Sequence, residues 1–83
     1  MSPSAQDIQD RLVAHVSRLT GLPPDEIDVR APYRRFGLDS VAVVTLLADL
    51  ETWLGRRFRE NPLEEHPTIE SLAQYLAEQA PGG

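Results

Sequence analysis

Cysteine is absent from this chain, which excludes disulfides, zinc–thiolate sites and thiol nucleophiles. Lysine is absent as well, so every basic side chain is an Arg, and acidic residues outnumber them to leave a net charge of −5. That balance disfavours tight binding to nucleic acid or to an anionic membrane surface, both of which reward cations. Arg56, Arg57 and Arg59 form one small cluster, too small for a nucleic-acid footprint, which reads as a solvated helix end or a partner contact. No stretch approaches the roughly 20 apolar residues of a membrane span. Residues 1–7 lack the basic-then-apolar order of a targeting segment, so the expected location is the cytoplasm. The two histidines, His15 and His66, lie far apart and read as surface or boundary residues; no metal site is expected. Nor is there a strand-like alternation of apolar and polar residues, an internal repeat or a low-complexity tract.

What remains is 83 residues, 41% hydrophobic and 25% charged, an ordinary composition for one small globular domain over 1–83 with its core at about 5–79. A chain this short buries only about 60% of its unfolded surface. Room for a deep catalytic pocket is scarce, which favours a function presented at the surface. A monomer is the default expectation.

Periodicity divides the chain into helices. Ser4 and Asp7 form a capping-box pattern ahead of Ile8, Leu12, Val16 and Leu19, which share one helical face, and Gly21 stops the segment. Residues 20–39, with Pro23, Pro24, Pro32 and Gly37, predict a long connection pinned over the bundle by Leu22, Ile27, Val29, Tyr33 and Phe36. A second helix runs from Ser40 to Leu54, before Gly55. Val43, Leu47, Leu50 and Leu54 form its core stripe, flanked by Leu46 and Trp53. Val41, Val44 and Ala48 make a second apolar stripe well round the cylinder, the mark of a central helix or of one that shows an apolar strip to a partner. A short turn or helix is expected at about residues 61–66. A last helix, capped by Thr68 and buried through Ile69, Leu72, Ala73, Leu76 and Tyr75, ends before Pro81. The fold class is all-α, a helical bundle with one long, structured first loop.

The informative stretch is Phe36-Gly37-Leu38-Asp39-Ser40-Val41. Asp39 is a candidate N-cap, and Ser40 sits where the helix dipole and unpaired N–H groups favour a phosphate ester. The same pair also serves as an ordinary helix cap, and spacing does not separate the two readings. A serine nucleophile is disfavoured: the nucleophile elbow places Gly two residues either side of the serine, where this chain has Leu38 and Ala42, and no histidine is local to supply a base.

Taken together, the motif resembles the phosphopantetheine attachment site of acyl carrier proteins of the polyketide synthase type. The Gly37-Leu38-Asp39-Ser40 core, the Leu50-Glu51-Thr52-Trp53-Leu54-Gly55-Arg56 end of the second helix and the Pro67-Thr68-Ile69-Glu70-Ser71-Leu72-Ala73 start of the last all resemble that family, in order and at the right chain length. The resemblance implies a four-helix bundle with a short third helix at about residues 62–66. It implies a non-enzymatic carrier with 4'-phosphopantetheine moved from coenzyme A onto Ser40 by a phosphopantetheinyl transferase. Partners would be an acyl-loading ligase or acyltransferase, a ketosynthase and other synthase domains. A flexible arm on a small body gives a tethered substrate a high effective concentration at each of them. The resemblance further implies docking on the second helix, through Val41, Val44 and Ala48, with Arg34, Arg35 and Asp49 setting charge complementarity.

Carriers of fatty acid synthesis usually have an acidic second helix, whereas Ala42, Thr45 and Thr52 are expected at exposed positions here, which points to a polyketide or hybrid pathway. Asp39 in place of the two-glycine pattern common in peptidyl carriers argues against an amino-acid cargo. The alternatives are a peptidyl or aminoacyl carrier and an unmodified helical interaction module.

Overall fold

The computed structural model describes residues 3–79. Four α-helices form the bundle: α1 (Ala5–Thr20), α2 (Ser40–Leu54), α3 (Pro62–Glu65) and α4 (Ile69–Gln79). The expected all-α architecture, with its long first loop and short third helix, is what the chain adopts. Among the described residues the sole β-type pairing is a single bridge between Pro32 and Thr68.

Each helix begins where its side chains satisfy the leading amides. Ser4 Oγ accepts from the Asp7 N–H while Asp7 accepts in return from the Ser4 N–H, both at 3.1 Å, a complete capping box. Asn61 accepts from the Leu63 N–H at 2.9 Å, with Pro62 in the first turn of α3 where its missing donor costs nothing. Thr68 Oγ1 accepts from the Ser71 N–H at 3.0 Å. The expected end of α4 before Pro81 lies outside the described residues.

The core is a continuous apolar cluster. Ile8, Leu12 and Val16 of α1 meet Ile69, Leu72, Ala73 and Leu76 of α4, and Val43, Leu46 and Leu50 of α2 and Leu63 of α3 close it. α1 packs chiefly against α4. On α2 the buried face centres on Val43, Leu46 and Leu50, while Leu47, Trp53 and Leu54 are half-buried, a small rotation from the expected stripe. Periodicity gives the face but not its centre, which depends on where the neighbouring helices sit.

The long first connection is structured, as its length requires. It contains two short 3₁₀ turns, Pro24–Glu26 and Tyr33–Phe36. The Tyr33 N–H donates to the Pro67 carbonyl at 2.7 Å and the Glu70 N–H to the Val29 carbonyl at 3.0 Å, stitching the loop to the start of α4. Ile27 is buried, and Val29, Tyr33 and Phe36 pack against the core as half-buried residues. Leu22 is not one of the pins: its side chain is exposed, and its backbone is held instead, with the carbonyl accepting from Ser17 Oγ and the N–H donating to Thr20 Oγ1. Leu19 is also exposed, because the end of α1 runs past the core. No described helix is long and apolar enough to cross a membrane.

Candidate functional site

Ser40 is the first residue of α2 and is exposed. Its position follows from its neighbours. Phe36 and Leu38 are anchored on the core before it, and Val43 and Leu46 after it. Between the anchors, Gly37 takes φ 69° and ψ 24° and donates its N–H to the Arg34 carbonyl at 3.2 Å, ending the 3₁₀ turn. No atom lies within 4 Å of where a Cβ on Gly37 would sit, so the left-handed backbone and not crowding is what favours glycine there.

Asp39 is the N-cap, with extended backbone. Its Oδ1 accepts from the Ala42 N–H at 2.7 Å and its carbonyl from the Val43 N–H at 3.0 Å. Two of the four leading amides are thereby satisfied. Those of Ser40 and Val41 have no acceptor among the described residues, at the positive end of a 15-residue helix. An exposed hydroxyl with two such amides at a helix mouth suits a phosphodiester on Ser40 Oγ. A shallow hollow of about 320 Å³ lies alongside, lined by Leu19, Thr20, Phe36, Gly37, Leu38, Asp39 and Ala42.

No described side chain hydrogen-bonds Ser40. His66 is half-buried and stacks on Tyr75 with ring centroids 4.2 Å apart, the boundary position expected of it. His15 is buried, not superficial. Its Nδ1 lies 3.4 Å from Asp49 Oδ2 without an aligned hydrogen bond. Among the described residues no three His, Asp or Glu side chains converge as metal ligands.

Asp49 is not a lone charge on α2: both carboxylate oxygens accept from Arg11, at 3.0 Å each. That bonding holds the Asp49 carboxyl below its ordinary range; partial burial pulls the other way and loses, while the Arg11 charge and His15 add to the lowering. Arg11 also lies over the Trp53 ring, 4.8 Å from its centroid. The network joins α1 to α2 through residues 38 positions apart, a distance that helical spacing does not reach.

The second apolar stripe is where the sequence puts it. Val41 and Val44 are 72% and 65% exposed, and Ala48 is exposed beside them. Arg34 and Arg35 are exposed on the 3₁₀ turn preceding Ser40. Sequence reasoning did not single out Arg18, exposed at the end of α1, which lines a hollow with Thr45, Ala48 and Thr52 of α2. Nothing in the sequence places those helices side by side in that register.

Residues 10–76 match the family described as phosphopantetheine attachment site. The chain is 34% identical to the acyl carrier protein TtuC of Teredinibacter turnerae over 89% of its own length and 85% of that protein's. It is 35% identical to part of a phenolphthiocerol/phthiocerol polyketide synthase of Mycobacterium tuberculosis, covering 90% of the chain but only 4% of that much longer polypeptide. Among solved structures, it superposes on an acyl carrier protein from Anabaena sp. PCC 7120 that has a variant phosphopantetheinylation-site sequence. The TM-score is 0.87 at 32% identity, covering 98% of this chain and 93% of that one. A free-standing peptidyl carrier protein from Acinetobacter baumannii superposes with a TM-score of 0.84 at 25% identity, covering 92% and 95%. The chain belongs to the phosphopantetheine attachment family, whose members are non-catalytic acyl and peptidyl carrier domains.

Proposed function

We propose that Ser40 is the attachment site of a 4'-phosphopantetheine arm, transferred from coenzyme A by a phosphopantetheinyl transferase. The arm supplies a terminal thiol that holds an acyl or polyketide intermediate as a thioester. The observation that carries this reading is the exposed Ser40 hydroxyl at the mouth of α2, inside the region that matches the family. The chain's own contribution is to present the hydroxyl, cap the helix through Asp39 and accommodate the phosphodiester with the Ser40 and Val41 amides. A loading ligase or acyltransferase, a ketosynthase and other synthase domains are the partners, meeting α2 through Val41, Val44, Ala48, Arg34 and Arg35. The reading takes the chain as one monomeric cytoplasmic domain with its core at about 5–79.

An acyl cargo is favoured over an aminoacyl one by the likeness to TtuC along most of both chains. Loading by an adenylating enzyme supplied with amino acids, against one supplied with carboxylic acids, tests that preference.

Intact mass after incubation with coenzyme A and a broad-specificity phosphopantetheinyl transferase tests the site. The expected result is a gain of one phosphopantetheine by the native chain and none by Ser40→Ala. A folded native chain that gains nothing beside an active control overturns the carrier reading in favour of an unmodified interaction module.

A further inference from the structure

We propose that the surface a synthase partner presents to α2 is apolar at its centre and carboxylate-rich at its rim; this rests on the carrier reading of Ser40. At about 100° per residue, Val41, Ala48 and Thr52 point directly away from the core face of α2, with Val44 and Thr45 on either side. The outward face is therefore uncharged through its middle, and its two exposed valines leave an apolar strip for a complementary one.

The charges around that strip that lack a partner of opposite sign are mostly basic. Asp39 is committed to the Ala42 N–H, Asp49 to Arg11, and Glu51 accepts from the Phe58 N–H at 2.8 Å. Every carboxylate on or next to α2 thus has an internal bond. Arg34 and Arg35 before Ser40, and Arg18 across the hollow from Thr45 and Ala48, are exposed, and no described carboxylate pairs with any of them. Arg34 makes only a loose contact with the Tyr33 ring, 5.9 Å from its centroid. The molecule is acidic as a whole, and its other carboxylates belong to other elements, among them Asp25, Glu26 and Asp28 on the first loop and Glu60, Glu64 and Glu65 in and before α3. A basic partner surface meets three guanidinium groups that repel it on this face, against the carboxylates of Asp39 and Glu51, which keep their charge while accepting from backbone amides. An acidic rim meets three cations, and rim charges of this kind govern encounter and partner choice.

Two variants of one ketosynthase decide the matter: the enzyme with carboxylates around its entrance, and the same enzyme with those carboxylates changed to Lys. Each is supplied with the acylated holo-chain, confirmed by intact mass, and kcat/KM for acyl transfer is measured at low salt. The acidic-rimmed enzyme is expected to be favoured by about tenfold through KM, with the preference fading near 1 M salt, where charges are screened beyond about 3 Å. The double variant R34E/R35E is expected to reverse the preference, and Val44→Asp to weaken transfer to both enzymes. Helical circular dichroism checks that the variants are folded. Equal rates with both enzymes, or a preference for the basic rim, overturn the docking proposal alone. Failure of the native chain to acquire the arm overturns the carrier reading beneath it, and is seen as the missing mass gain before any transfer is measured.

Discussion

Arg11 donates Nε and Nη2 to the two oxygens of Asp49, and the paired geometry lowers the Asp49 carboxyl below its ordinary value of 3.8. Such a fork is stronger than a single bond between neutral groups, but Arg11 is 39% exposed and water screens part of it. Replacing Asp49 with Asn is expected to cost about 1 kcal/mol at neutral pH. The sign of the pH dependence follows from the depressed carboxyl. The stabilisation is complete above the unfolded-state value, about 3.9, and is lost as pH falls below it through the lower folded-state value. Urea midpoints of the native chain and Asp49→Asn are therefore expected to differ at pH 7 and to converge below about pH 4. A gap that stays constant into acid would assign the Asn effect to packing instead.

α2 carries apolar residues on two faces. Val43, Leu46 and Leu50 bind it to the bundle, while Val41 and Val44 contribute nothing to the core and remain in solvent. Its start depends on Asp39, whose side chain satisfies the Ala42 amide. Asp39→Ala is expected to lose about 1 kcal/mol and to loosen the first turn, seen as faster amide exchange at Ala42 with little change at Leu50. Uniform acceleration along α2 would mean that the cap matters to the fold as a whole and not to the first turn.

Across the whole molecule, the buried core and the proposed attachment site occupy different surfaces. Leu72 is fully buried on α4, which packs chiefly against α1, so Leu72→Ala is expected to destabilise the domain by about 2–5 kcal/mol. That is a large part of the total for a domain this small. Ser40→Ala, at an exposed position whose side chain no described group bonds, is expected to change the stability by less than about 0.5 kcal/mol. Chemical unfolding of both variants checks the separation. A large loss in Ser40→Ala would mean that the hydroxyl supports the fold, and the absence of modification in that variant would then need a milder substitution to interpret.

The residues on their own determine the helix caps, the glycine stops and the limits of α1 and α2, since each is set by contacts within four positions along the chain. They determine the second valine stripe too, because a helix of fixed period places Val41, Val44 and Ala48 well round from its core face, but that the stripe is exposed and not buried in a central helix is decided by the packing. The placement of Ser40 at the start of α2 was legible for the same reason as the caps, since a hydroxyl directly after an N-capping Asp is a local arrangement; its reading as an attachment site came from the motif's resemblance to the carrier family, because spacing alone does not separate it from an ordinary cap. What tertiary structure alone decided are the long-range pairings. Asp49 reads as an exposed charge until α1 brings Arg11 and His15 to it, and Leu22 reads as a pin until the loop is seen to fasten through its backbone. Arg18 likewise joins the face of α2 only through the packing of α1 beside it. Helical period fixes which residues share a side, but the rotation of one helix against another is settled by how their side chains interlock, and no single helix contains that information.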